Sequence, residues 1–159
     1  MNKAEGGAAT ATIHGVAVAV GSAGVLLRGR SAAGKSRLAE ELAEEARRRG
    51  WFGRLVADDR VRIVAHGNRL VLSPHKAIAG RIERRGQGIF PVDHEAAVVL
   101  RLVVDLVDRN RESDHPPRMP GSADKIAVIE GVETPRLALA IGEAGAAQAI
   151  LELINQIGA

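Results

Sequence analysis

The sequence at residues 29–36 reads Gly29-Arg30-Ser31-Ala32-Ala33-Gly34-Lys35-Ser36, which fills the pattern G-x-x-x-x-G-K-[ST] at every fixed position. The apolar run Gly24–Arg28 before it predicts a buried strand, and residues 36–49 predict a helix after it. A glycine-containing turn at a helix N-terminus offers backbone N–H groups and a positive dipole end to an anion. The stretch, with Arg37 directly after it, therefore predicts a nucleotide-binding loop. Lys35 would reach the β/γ oxygens of ATP, and Ser36 would present its hydroxyl to Mg²⁺.

Composition narrows the class of protein. The 159 residues suit one domain with one sizeable core, and the net charge of +3 comes from 22 basic and 19 acidic residues. One Trp, two Phe and no Tyr leave almost no platform for stacking bases, so we expect no nucleic-acid partner. Without cysteine, disulfides and thiolate metal sites are excluded. Because no apolar run reaches the roughly 18 residues of a membrane span, we expect a cytoplasmic protein without a membrane partner.

The pattern along the chain predicts a disordered arm over residues 1–10 and a single domain over residues 11–159. Helices are predicted over residues 36–49, 75–85 and 143–157. Strands are predicted over residues 11–20, 24–28, 55–57, 61–65, 69–72, 96–107, 125–129 and 136–141. A polar, proline-containing loop fills residues 108–124. This order predicts an α/β fold, with a mixed sheet around the phosphate loop and helices flanking it.

Acidic residues are the first candidates for the chemistry beyond phosphate binding. Asp58 and Asp59 end the strand 55–57, which we expect to lie beside the loop strand. Because ligands collect at the carboxyl ends of strands in α/β sheets, one carboxylate can act as base toward a hydroxyl and the other can reach Mg²⁺. The alternative is a polar strand exit that caps a turn. Asp105 is a rival metal-side acid, although its position favours the inside or far face of a strand.

Three further sites carry weaker signals. Residues 81–89 place Glu83 and Arg85 just before two glycines, which suits a backbone close to a charged ligand but also a basic helix end with a glycine cap. Arg118 in the proline-containing loop is either a mobile cation over transferring phosphate or an ordinary surface arginine. His14, beside a glycine in a strand, is either functional or simply packed and hydrogen-bonded.

Several segments occur in one fixed order along the chain. They are Ile13-His14-Gly15-Val16, Gly24-Val25-Leu26-Leu27, the phosphate loop, Leu55-Val56-Ala57-Asp58-Asp59-Arg60-Val61 and Glu83-Arg84-Arg85-Gly86-Gln87-Gly88-Ile89. Over residues 11–142 the chain thereby resembles the catalytic domain of the bacterial HPr kinase/phosphorylase family, whose segments read HG, GVL, a phosphate loop, LVADD and E-x-R-G-x-G-[IV]. The resemblance implies a fold of the HPr kinase and phosphoenolpyruvate carboxykinase type.

The resemblance also implies an activity. Members phosphorylate a serine of HPr, the phosphocarrier of the sugar phosphotransferase system, with ATP and Mg²⁺, and can reverse the reaction with inorganic phosphate. It further implies a homo-oligomer, since long members form hexamers. By motif, Asp58 would take the serine proton, and Arg85 would stabilise the charge of the phosphate. Ser36 and Glu83 would hold Mg²⁺, with Asp59 as the second acid. The implied active residues also include His14, Lys35 and Arg118.

Departures from the family pattern leave two alternatives open. Ala32 stands where the family commonly has glycine, Arg37 stands where it has an acid, and the late P-V-x-x-G-R-N segment has no clear equivalent near residues 133–138. The chain resembles a compact form without the amino-terminal domain of the long members. A small-molecule kinase on the same scaffold is one alternative. A non-catalytic nucleotide sensor that signals through a partner is the other.

Overall fold

The computed structural model describes residues 10–75, 81–84, 88–91, 95–108 and 125–158, with residues 81–84 and 88–91 described by their backbone. In chain order the elements are β1 (Thr10–His14), β2 (Val16–Val20), β3 (Ala23–Arg28), α1 (Lys35–Arg48), β4 (Gly53–Ala57), β5 (Arg60–His66), β6 (Arg69–Pro74), β7 (Arg81–Arg84), β8 (Gly88–Pro91), β9 (Val98–Val107), β10 (Ile126–Ile129), β11 (Val132–Ala140) and α2 (Ala146–Ile157).

The fold is built on a nine-stranded mixed sheet. Seven of its strands follow the order β1-β5-β6-β9-β3-β2-β4, and β11 and β10 extend the sheet from β9. The long strand β9 pairs parallel with β3 and, over its second half, parallel with β11, while its start pairs antiparallel with β6. Strand β10 adds to β11 as a hairpin, and β7 and β8 form a separate antiparallel pair. This arrangement confirms the predicted α/β class with a mixed sheet and flanking helices.

The core has two parts, one on each face of the central strands. On one face, Leu27 and Val104 pack under α1 and α2, whose apolar stripes include Leu42 and Ile150. On the other face, alternate residues such as Leu26 pack against the layer made by β5 and β6. Because successive strand residues point to opposite faces, strands buried on both sides have to be apolar throughout, and all five residues of β2 are buried.

Glycine at one position brings α1 close to the edge strand. A Cβ built on Gly53 would lie 2.4 Å from the carbonyl oxygen of Ala43, so only glycine fits where β4 passes under the helix. The helix runs Lys35–Arg48, in agreement with the predicted helix, and is followed by Gly50 with φ 80. In the part of the chain that the structure describes, no helix is long and apolar enough to cross a membrane.

The structure corrects three predictions about the elements. The predicted strand 11–20 divides at Gly15, since β1 pairs with β5 whereas β2 pairs with β3. Strand β4 lies beside β2 rather than beside the loop strand, because the β2–β3 hairpin occupies that place. Residues 81–84, predicted to be helical, form strand β7; residues 76–80 and 85 of that prediction lie outside the described residues. Of the predicted arm, Thr10 begins β1 and residues 1–9 also lie outside.

The phosphate loop contains one strained backbone position. Ala32 has φ 70, in the left-handed region where a Cβ costs about 1–2 kcal/mol. The side chain is exposed, so no packing of its methyl group offsets that cost.

Replacing Ala32 with Gly is expected to raise the free energy of unfolding by up to about 1 kcal/mol, because the relieved strain exceeds the added chain entropy of roughly 0.4–1 kcal/mol. Denaturant unfolding measures this. Ala33→Gly is the matched control and should lower stability, since Ala33 is 3% exposed and has no positive φ. An Ala32→Gly protein less stable than the parent would contradict the assignment of backbone strain to Ala32.

Candidate active site

Two strands place the phosphate loop and the paired acids, Asp58 and Asp59, at one edge of the sheet. Strands β3 and β4 are each antiparallel to β2, so they run parallel to one another and end at the same edge. The loop leaves the end of β3 and Asp58 leaves the end of β4. The connection from β1 reaches the same place, because the N–H of Gly15 donates to the carbonyl oxygen of Asp59 at 3.0 Å.

The loop wraps closely around the start of α1. A Cβ on Gly29 would lie 3.2 Å from both the Cβ of Ala33 and the carbonyl oxygen of Leu106, so a side chain there would push the loop off β9. Gly34 has φ 90 and stands at the N-cap, with no side chain capping the helix and no acid in its first turn. The first N–H groups of α1 are therefore available to an anion, as the loop sequence predicted.

Lys35 is folded back onto its own loop. Its Nζ donates to the carbonyl oxygens of Gly29 at 2.8 Å and Arg30 at 2.9 Å, and the residue is only 7% exposed. Burial lowers the pKa of Lys35 from its usual 10.5, and the nearby charges of Asp59 and Asp58 oppose that effect. A buried ammonium held by two carbonyl groups is well placed to gain from a polyanion in the loop.

Ser36 and Asp58 meet at the mouth of the loop. The Oγ of Ser36 donates to Oδ1 of Asp58 at 2.5 Å, and Asp58 is 5% exposed. A hydroxyl and a carboxylate are the oxygen donors that Mg²⁺ prefers. In the described ranges no three His, Cys, Asp or Glu residues form a metal cluster. The hydroxyl of Ser36 and the neighbouring carboxylates fit a Mg²⁺ ion that also binds substrate phosphates.

Asp59 and His14 form an exposed pair beside Asp58. Nδ1 of His14 lies 3.2 Å from Oδ1 of Asp59, and the side chains are 50% and 58% exposed. Asp59 has φ 72, a left-handed turn that directs the two neighbouring aspartates to different places. A carboxylate beside Nδ1 favours the tautomer protonated there, which leaves Nε2 able to accept a proton. The structure thus places His14 beside Asp59, and its functional role stays a prediction.

The other polar residues of the loop point to its outside. Arg30 forms an ion pair with Asp108, the residue after β9. Arg37 is 87% exposed and lies 3.5 Å from Glu41 one turn along the helix. Sequence reasoning missed Asp108 as an anchor of the loop because it was assigned to a long polar loop, and no local pattern links it to a residue 78 positions away.

Asp105, the rival acid, is held inside the sheet. Its carboxylate accepts from Nε of Arg28 at 2.7 Å, from Nη2 of Arg28 at 2.9 Å and from Nε of Arg136 at 2.5 Å. Burial alone would raise the pKa of Asp105, but the hydrogen bonds and charges of the two arginines hold it below its usual value. These contacts fit the structural interpretation of Asp105 and not a metal-side role.

The remaining predicted site residues are only partly described. Glu83 lies in β7, opposite Ile89 of β8, and its backbone alone is described. Arg85 and Arg118 lie outside the described residues. Their predicted roles remain predictions.

Known proteins resemble this chain in sequence. A family model described as the HPr serine kinase C-terminal domain matches residues 6–157. The HPr kinase/phosphorylase of Chlorobium phaeobacteroides (strain BS1) is 34% identical over 151 residues, which cover 89% of this chain and 42% of that protein. The HPr kinase/phosphorylase of Treponema pallidum (strain Nichols) is 42% identical over 87 residues, covering 54% of this chain and 25% of that protein. The chain thus spans less than half the length of these relatives.

A solved structure shares the fold. The HPr(Ser) kinase/phosphatase from Coxiella burnetii superimposes with a TM-score of 0.73 at 23% identity, covering 92% of this chain and 95% of that one. The likeness extends over nearly all of both chains, so the two proteins share the fold. With the family model matching almost the whole sequence, the chain belongs to the family of HPr serine kinase C-terminal domains.

Proposed function

We propose that the chain is the catalytic domain of a Mg²⁺- and ATP-dependent protein-serine kinase that phosphorylates HPr. The observation that carries the proposal is the contact of 2.5 Å between Ser36 of the phosphate loop and Asp58 of the paired acids. It joins a phosphate-binding loop to a carboxylate at one edge of the sheet, which is what phosphoryl transfer to a hydroxyl requires. HPr is taken from the names of the relatives, and the two relatives from Chlorobium phaeobacteroides and Treponema pallidum are much longer than this chain.

The loop and Lys35 would bind the triphosphate. No side chain caps the N–H groups at the start of α1, and the ammonium of Lys35 donates to two carbonyl oxygens of the loop. A triphosphate would draw the Nζ of Lys35 from those carbonyls to the β- and γ-phosphate oxygens. The resulting charge-assisted hydrogen bonds are stronger than the neutral ones they replace.

Ser36, together with Asp59 and Glu83 from β7, would hold Mg²⁺. A bound Mg²⁺ supplies charge neutralisation across the phosphate oxygens. The hydroxyl of Ser36 donates its hydrogen to Asp58, so its oxygen lone pairs can face a metal ion. Asp58 thereby orients Ser36 for this role.

Asp58 would then act as the base. As the serine oxygen of the acceptor bonds to the γ-phosphorus and the bond to the ADP oxygen breaks, the serine proton passes to Asp58. His14, which contacts Asp59, would orient the acceptor hydroxyl. In the reverse direction Asp58 would return a proton to the serine oxygen as phosphate attacks. Arg85 and Arg118, the arginines of the family motifs, would carry the transferring charge.

The proposal is tested with ATP, Mg²⁺ and HPr. Asp58→Ala is expected to lower phosphorylation of HPr by roughly 10²–10⁴-fold, the range general bases contribute, while ATP still binds. Phosphate incorporation and ATP titration measure the two properties, and mass mapping identifies the modified serine. Asp105→Asn is the control variant, because Asp105 is held by Arg28 and Arg136 within the sheet. A rate for Asp58→Ala close to that of the parent would exclude Asp58 as the base.

The same assay separates the alternatives. Transfer to small alcohols or acids but not to HPr would indicate a small-molecule kinase on this scaffold. ATP binding without transfer to any acceptor would indicate a nucleotide sensor. Self-association and a cytoplasmic location, both expected from the sequence, stay predictions.

ATP affinity is expected to fall as the pH rises toward about 10, because of Lys35. Burial lowers the pKa of Lys35 in the free protein, and a bound triphosphate raises it again, so binding takes up a proton once the free lysine begins to deprotonate. Lys35→Arg stays protonated and should give a flat profile over the same range, at lower affinity. Calorimetric titration at a series of pH values measures both profiles. Parallel profiles for the two proteins would contradict this assignment.

A further inference from the structure

A groove beside the phosphate loop has no part in the transfer chemistry described above. It lies between α1 and the turn that leads from β11 into α2, and its volume is about 720 Å³. This size is within the roughly 300–1,000 Å³ typical of small-molecule sites. Ala32, Ala33 and Gly34 line it, so the groove and the phosphate loop share a wall.

The sheet order determines which end of a triphosphate faces the groove. On one side of β3 lie β2 and then β4, which carries Asp58. On the other side lie β9 and then β11, whose following turn lines the groove. The γ-phosphate has to face Asp58 for transfer to occur. The opposite end of the triphosphate, which carries the nucleoside, therefore leaves the loop toward β11 and the groove.

The lining of the groove suits a nucleoside. Leu38, Leu106 and Ala147 contribute apolar surface. The turn at residues 142–147, which lines the groove, consists of glycine and alanine apart from Glu143, so few bulky side chains stand on that wall. Glu41 and Glu44 of α1 also line the groove, each in an ion pair with an arginine of the same helix, and a carboxylate can accept a further hydrogen bond from a ribose hydroxyl.

We propose that this groove holds the base and ribose of the bound nucleotide, and that the turn at residues 142–147 is the wall that contacts the base. The proposal rests on the proposed kinase function, since it takes the triphosphate in the loop as given. In this arrangement the loop binds phosphates alone, and the groove supplies the preference for a nucleotide over a bare polyphosphate.

The test compares two ligands that share the phosphates and differ in the nucleoside. ATP and inorganic tripolyphosphate are titrated calorimetrically, with Mg²⁺, into the full chain. Ala144→Trp would place an indole in the groove from an exposed turn position that has no positive φ. The matched control is Gln156→Trp, at an exposed position near the other end of α2.

The parent is expected to bind ATP more tightly than tripolyphosphate. Ala144→Trp should weaken ATP binding by about tenfold or more while tripolyphosphate affinity stays within about twofold of the parent value. Gln156→Trp should change neither. As a readout without mutation, ATP but not tripolyphosphate should protect backbone amides of residues 142–148 from hydrogen exchange.

Any other outcome of these titrations and exchange measurements would overturn either the groove assignment or the proposed function. Equal affinity of the parent for the two ligands, or an Ala144→Trp protein that loses both equally or neither, would overturn the groove assignment while leaving a phosphate-binding kinase intact. Protection by tripolyphosphate as strong as by ATP would overturn it as well. A parent that binds neither ligand would instead overturn the proposed function itself.

Discussion

The antiparallel pairing of β2 with both β3 and β4 is the constraint on which the site depends. A strand that is antiparallel to two neighbours makes those neighbours parallel to each other, so the loop after β3 and the acids after β4 leave the sheet at one edge. Strand β2 can lie between them because all five of its residues are apolar and buried on both faces. Loss of that pairing would separate Ser36 from Asp58 without changing a single residue of either motif.

The same edge concentrates features that cost stability. Lys35 is a buried cation whose partners are carbonyl oxygens, and its lowered pKa reports the unfavourable burial of that charge. Ala32 and Asp59 both have positive φ in the loop and in the acid pair. Such costs cluster where a structure is organised for a ligand rather than for folding, since the ligand supplies the missing interactions on binding. For Lys35, the proposed triphosphate would supply that interaction.

The local sequence pattern predicted most of the helices and strands. The arrangement of the strands in the sheet depends on long-range pairing, which the local pattern could not predict. The loop, the helix after it, the β5–β6 hairpin and the central strand β9 follow from residues near in sequence, and the structure confirms them. The predicted position of β4 was wrong, because β2 pairs with β3 in a hairpin and so lies between β3 and β4. The contacts of Arg28 and Arg136 with Asp105 join three strands by register, which no motif reveals. The strand at residues 81–84 was missed because its charged residues also suit a helix.

The arginine contacts also distinguish the acids at this edge. A general base has to release its hydrogen-bond partner and accept a proton, so a carboxylate held by two guanidinium groups suits that task poorly. Asp105 is held in that way by Arg28 and Arg136, and its lowered pKa makes protonation harder still. Asp58 accepts from the hydroxyl of Ser36, a neutral donor that stabilises the charged carboxylate less than a guanidinium does. The chemistry of the partners, more than the number of acids nearby, therefore favours β4 over β9 as the source of the base.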